Sequence, residues 1–138
     1  MKNNIRNIVI EDSVMIEEVM AEFLAYTLKI ETDKTKKELP LSFISFDHKC
    51  QILKEMRAIS TKQYTKLKIF TEIRNKFAHN IRIKLITDCF SKDSQNFKKL
   101  IEYYPEVEVQ DFEKYAFRLY EILRNELSGI DLIGYYEG

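Results

Sequence analysis

Three glycines and two prolines in 138 residues leave this chain too few turn formers for an all-β fold, which must reverse direction every few residues. The expectation is a chain made mostly of helices. Its length suits one domain spanning residues 1–138, with a core that needs neither disulfide nor structural metal. Hydrophobic residues make up 45% and charged residues 32%, a globular composition and not that of a disordered chain.

Apolar residues recur at helical spacing in five places. Ile16, Val19, Met20, Phe23 and Leu24 predict a first amphipathic helix from about Val14 to Ile30, with Asp12 or Ser13 as its cap and three glutamates in its first half. Residues 31–40 are polar, lack periodicity and end in Pro40, which reads as a loop. A second helix is expected from about Phe46 to Arg57, burying Phe46, Cys50, Leu53 and Met56. Ser60-Thr61-Lys62-Gln63 has the form of a capping box and opens a third, with Tyr64, Leu67, Phe70, Ile73 and Phe77 on its apolar face. That helix should stop near His79-Asn80, where Asn can take the left-handed conformation. Ile81, Ile83 and Leu85 alternate like a strand, but no second strand exists to pair with them, so a connector or a continuing helix is expected. A fourth helix covers about Ser94 to Tyr104, before Pro105. The fifth runs from Phe112 through Leu127 and closes at Gly129. The predicted fold is all-α, an up-and-down helical bundle of four to five helices without internal repeats.

Lysine and arginine number 22, aspartate and glutamate also 22, so the net charge is zero. That excludes a surface that clings to nucleic acid everywhere, because such affinity comes from neutralising phosphates. The charges are nevertheless segregated. Residues 62–84 hold seven basic residues against the single acid Glu72, whereas residues 102–138 hold nine acids against three basic residues. Lys66, Lys76 and Arg82 belong to the basic run and are its candidate contacts to RNA or other nucleic acid. The competing expectation is that the two regions pack together, within one chain or between subunits.

Other chemistry is sparse. Cys50 and Cys89 lack a CxxC partner, and with two histidines no zinc site of ordinary spacing can be assembled, so no metal or cofactor is expected. The cysteines read as reduced core thiols. His48 reads as a surface or capping residue, and Tyr103-Tyr104 and Tyr135-Tyr136 as covers for a core or an interface. The segment Met1 to Ile10 has no continuous apolar region, and nothing approaches the ~18 uninterrupted apolar residues of a membrane span. The expectation is cytoplasmic, with no membrane partner.

One stretch carries chemical character: Glu72-Ile73-Arg74-Asn75-Lys76-Phe77-Ala78-His79-Asn80. Ile73 and Phe77 share a face and anchor the turn, while Arg74 lies about 100° from Ile73, near the stripe's edge. His79 comes five residues later, at or just past the helix end. A guanidinium grips phosphate and an imidazole titrates near neutral pH, the two groups required for phosphodiester cleavage without a metal. The same spacing fits a structural role, with Arg74 capping carbonyls or pairing with Glu72 or a C-terminal acid, and His79 meeting the helix dipole.

Arg74-Asn75-Lys76-Phe77-Ala78-His79 resembles the R-x4-6-H motif of the HEPN superfamily, in which a polar residue, often Asn, follows the Arg. The wider stretch is similar to the mannitol operon repressor (MltR-like) family, where a "PL-x-SF-x-x-K" segment precedes a helix and a second helix ends in "IRN-x-FAH". Here Pro40-Leu41-Ser42-Phe43 and Phe46-Asp47-His48-Lys49 stand first, and Ile73 to His79 follow. The likeness covers about residues 14–125 and is specific mainly over 40–90. It departs where Lys37-Glu38 replaces a small-residue turn, which bears on the loop more than on the site.

The resemblance implies a helical bundle, frequently a homodimer with the motif near its two-fold axis. In active HEPN proteins Arg and His from both subunits form one metal-independent RNase site. Carried over, Arg74 orients the scissile phosphate, His79 moves a proton during attack by the 2′-OH, and Asn75 supports either group. The repressor-like group implies instead a transcriptional regulator or protein-interaction module in which the motif is structural, although nothing here reads as a helix-turn-helix.

Overall fold

The computed structural model describes residues 4–31, 35, 38–89, 94–108 and 111–129. Among them are five α-helices and no strand: α1 (Ile5–Thr27), α2 (Phe46–Glu55), α3 (Thr61–His79), α4 (Gln95–Tyr103) and α5 (Phe112–Ser128). A short 3-10 turn, Ile86–Asp88, lies between α3 and α4. The chain is an all-α bundle. Lys37, Phe90 and Tyr135-Tyr136 fall outside the described residues.

Every helix starts on a side-chain cap that satisfies an otherwise orphaned backbone N–H. Asn4 accepts from the amide of Arg6 at 2.8 Å, Ser45 from His48 at 3.2 Å, Ser94 from Phe97 at 3.2 Å and Asp111 from Lys114 at 3.1 Å. The capping box is present in both directions: Gln63 N donates to Ser60 Oγ at 3.0 Å, and Ser60 N donates to Gln63 Oε1 at 2.7 Å.

Helix α1 begins nine residues before the expected Val14, and neither Asp12 nor Ser13 caps it. Both lie mid-helix and are buried, Ser13 donating its hydroxyl to the Ile10 carbonyl at 2.7 Å. Asp12 resembles a cap in sequence because its partners are remote. Tyr120 of α5 donates to Asp12 Oδ2 at 2.7 Å and Arg124 Nε to Oδ1 at 2.9 Å.

Two helices end in a Schellman turn that uses no glycine. At the end of α1 the amide of Ile30 donates to the Ala25 carbonyl and that of Lys29 to Tyr26. At the end of α2, Ala58 donates to Leu53 and Arg57 to Lys54. These are Schellman pairs, with Lys29 (φ 57°) and Arg57 (φ 61°) in the left-handed position that glycine usually fills. The reversal at Arg57 ends α2 two residues earlier than expected and leaves Met56 44% exposed rather than in the core. At Asn80 the expected left-handed stop is absent: φ is −131°, and the end of α3 is closed by another residue, described below.

The core is one cluster, drawing Val9, Ile16, Met20 and Leu24 from α1, Leu53 from α2, Leu67, Phe70, Ile73 and Phe77 from α3, and Leu119, Tyr120, Leu123 and Leu127 from α5. Phe70 and Tyr120 stack across α3 and α5 with ring centroids 6.0 Å apart. Helix α1 packs against α2, α3 and α5, whereas α4 rests on α5. Residues 80–85 form the connector, and Ile86 plugs the 3-10 turn into the core beside α5. Asp88 Oδ2 holds that turn by accepting from the amides of Lys84 and Leu85, each at 3.0 Å.

Cys50 and Cys89 are buried free thiols, and loss of hydration pushes their pKa values up from 9.0 to about 12 and about 11. Burial, reinforced by hydrogen bonds to Glu126 and Asp12, also raises the phenols of Tyr104 and Tyr120.

Two outcomes follow from this architecture. Arg57→Gly relieves an L-residue held at positive φ and raises the free energy of unfolding by about 0.5–1 kcal/mol in urea titrations, as does Lys29→Gly. Above pH 9 the unfolded chain releases thiol protons that the fold still holds, so stability falls as pH rises from about 9 to 11. Urea midpoints across that range record the decline, and Cys50→Ala/Cys89→Ala makes it shallower.

Candidate functional site

The last turn of α3 is held from a distance. Arg6, in the first turn of α1, places its guanidinium over the carbonyl end of α3 and donates to three backbone oxygens: Phe77, Asn80 at 3.0 Å and Ile83 at 2.8 Å. It also lies 5.9 Å from the centroid of the Phe77 ring. A cation at a helix C-terminus meets the negative end of the dipole, and here it also satisfies carbonyls that the helix leaves open. Sequence reading missed Arg6, because residues 1–10 gave no helical signal strong enough to place it against α3. Asn80 contributes through its side chain, whose Oδ1 accepts from the amide of Arg82 at 3.0 Å.

Arg74 is half-buried where α1 and α3 pack. Its Nη1 donates to Asn75 Oδ1 at 3.1 Å, and its Nη2 faces Glu17 Oε1 of α1 at 4.0 Å. The Nε atom is buried and finds no acceptor among the described residues. An unmet buried donor costs roughly 1–3 kcal/mol. The acid facing Arg74 is therefore Glu17. Glu72 instead accepts from Asn96 Nδ2 in the second residue of α4.

His79 is the last residue of α3, exposed, and without a hydrogen-bond or ion-pair partner among the described residues. Because α3 stays helical through His79, the five-residue step from Arg74 turns the two side chains ~140° apart and separates them by ~7.5 Å along the axis. The structure joins Arg74 to Asn75 and Glu17 but makes no bond between Arg74 and His79.

The basic run is partly neutralised inside the chain. Lys66 Nζ meets Glu126 Oε2 of α5 at 2.5 Å and lies 5.3 Å and 5.0 Å from the ring centroids of Tyr103 and Tyr104. Tyr104 donates to the same Glu126 oxygen at 2.8 Å. Lys62 lies over Tyr103 and Lys68 over Tyr64. Lys76 turns its ammonium to the Cys89 carbonyl. Of the three candidate nucleic-acid contacts, only Arg82 is exposed with no side-chain partner among the described residues. His48 lies exposed in the first turn of α2.

Among the described residues no group of three or more His, Cys, Asp or Glu is placed to hold a metal ion. No helix among them is long and apolar enough to cross a membrane. In comparisons with family models, curated proteins and solved structures, none matches this chain.

Lys66 and Arg82 separate structural from available charge. Lys66→Ala breaks the packed Glu126 and tyrosine contacts and lowers stability by about 1–2 kcal/mol in thermal or urea unfolding. Arg82→Ala changes it by less than about 0.5 kcal/mol.

Proposed function

We propose that this chain is an RNA-directed regulatory protein of the HEPN/MltR-like type that cleaves RNA without a metal, using Arg74 and His79 from two copies of the chain. The observation that carries the reading is the state of His79: an exposed imidazole with no partner among the described residues, at the end of the helix that holds Arg74. His79 is not buried against its own chain, as a histidine packed for structure would be. Such a free imidazole can accept a proton from the RNA 2′-OH or return one to the departing oxygen.

The chemistry balances without a further reactant. The 2′-oxygen forms a bond to phosphorus, the bond from phosphorus to the 5′-oxygen breaks, and the products are a 2′,3′-cyclic phosphate and a 5′-hydroxyl. One proton leaves the 2′-OH and one reaches the 5′-oxygen. Arg74, always charged, stabilises the negative charge that builds on the phosphorane oxygens, and Asn75 holds that guanidinium in place.

Two copies are invoked because the ~140° step separates Arg74 from His79 within one helix. Apolar surface flanks the motif where a second copy would cover it: Ile81, 84% exposed, lies two residues beyond His79, and Val14, 58% exposed, lies three residues before Glu17. The second reading, a non-catalytic regulator or interaction module, draws on the tether of Arg74 to Glu17 and Asn75, which a structural motif also requires.

The deciding measurement is cleavage of mixed RNA in excess chelator. His79→Ala, an exposed change that leaves the fold intact, lowers the rate by about 100-fold or more. Equal cleavage by variant and wild type removes His79 from the chemistry, and no cleavage by either leaves the interaction-module reading. Sedimentation of wild type against Ile81→Asp tests the second copy, with the variant expected as monomer.

A further inference from the structure

A lysine buried without a counter-charge or an acceptor is destabilising, so it calls for an explanation. Lys49 of α2 is 5% exposed, one of three buried polar or charged residues among those described. The other two are accounted for: Asp12 receives Tyr120 and Arg124, and Ser13 donates to the Ile10 carbonyl. The Lys49 ammonium has no hydrogen-bond or ion-pair partner among the described residues. Burial lowers its pKa from the usual lysine value, while the carboxylate of Glu17 is the strongest influence in the opposite direction.

Glu17 is the same acid that faces Arg74 Nη2 at 4.0 Å. The charge of one carboxylate on α1 is therefore felt by cations from two helices, Arg74 of α3 in near contact and Lys49 of α2. Nη2 and Nε lie along one edge of the guanidinium, the edge used to grip an oxyanion side-on, and here Nε is the buried donor with no acceptor. One carboxylate at 4.0 Å satisfies neither that edge nor the second cation.

We propose that Lys49 and the Nε–Nη2 edge of Arg74 form a binding site for a backbone phosphodiester of RNA, with Glu17 as the internal carboxylate that the phosphate displaces. Once Glu17 has moved aside, one non-bridging oxygen accepts from Nε and Nη2 and the other meets the Lys49 ammonium. The assignment rests on the RNA reading above and adds two residues to it: Lys49 as a phosphate ligand and Glu17 as a competing anion. Displacement of Glu17 sets the phosphate requirement, because a neutral ligand cannot replace the carboxylate's charge between two cations.

The test measures binding apart from cleavage. A fluorescent RNA oligomer with 2′-O-methyl groups and no terminal phosphate is titrated by anisotropy against wild type, Glu17→Gln and Lys49→Met. Glu17→Gln is expected to bind several-fold more tightly and Lys49→Met about tenfold or more weakly. Equal affinities in wild type, Glu17→Gln and Lys49→Met overturn the site, whatever the cleavage assay shows. Binding of inorganic phosphate, followed by amide shifts, without binding of the oligomer assigns the cations to free phosphate and overturns the RNA assignment. If circular dichroism shows that Lys49→Met has lost its fold, Glu17→Gln carries the test alone, since a purely structural role for Glu17 predicts weaker binding and not tighter. A protein that binds in the expected pattern but cleaves nothing keeps this site and loses the nuclease reading.

Discussion

Three of the charged side chains of helix α1, at three levels, are each committed to a different part of the bundle. Arg6 closes the carbonyl end of α3, Asp12 receives Tyr120 and Arg124 of α5, and Glu17 faces Arg74 of α3 and influences Lys49 of α2. The apolar stripe of α1 supplies the driving force for packing, because burial of side chains such as Ile16, Met20 and Leu24 is worth ~1.5–3 kcal/mol each. That force is non-directional and would allow the helix to slide or rotate. The three charged groups have fixed partners, so they select one depth and one rotation for α1 within the bundle. The position of Arg74 against Glu17 depends on that selection.

Net neutrality conceals how the charges are distributed. Part of the basic character of α3 is spent within the chain, where Lys66 meets Glu126 and the rings of Tyr103 and Tyr104, and Lys76 meets a carbonyl. The other cations named stand in the C-terminal part of α3 and beyond it: Arg74, whose buried Nε has no acceptor among the described residues, and Arg82 on the surface. A short, local concentration of cations suits recognition of one or two phosphates better than a long electrostatic track.

Helix ends show how this chain manages with little glycine. Lys29 and Arg57 occupy left-handed positions at a steric cost of roughly 1–2 kcal/mol each, which the Schellman hydrogen bonds and the packing around them offset. Gly129 closes α5 at φ −102°, a conformation open to any residue, so the one glycine at a helix end is not used for its freedom. At α3 neither device operates, and a guanidinium from another helix does the closing.

The features legible in the sequence are those that depend on near neighbours. Periodicity exposes the core faces of α3, α4 and α5 because residues three and four apart share a helix face, and the Ser60–Gln63 box is readable because its partners are three residues apart. The start of α1 was not legible, since Asp12 and Ser13 look like a cap until residues of α5 more than a hundred positions away are seen to hold the former. Likewise the sequence marked Arg74 and His79 as chemically notable but could not name Glu17, Lys49 or Arg6 as their surroundings. Local hydrogen bonding and side-chain period decide where helices form. Which charge meets which is decided only when the bundle closes, because those partners are adjacent in space and distant along the chain.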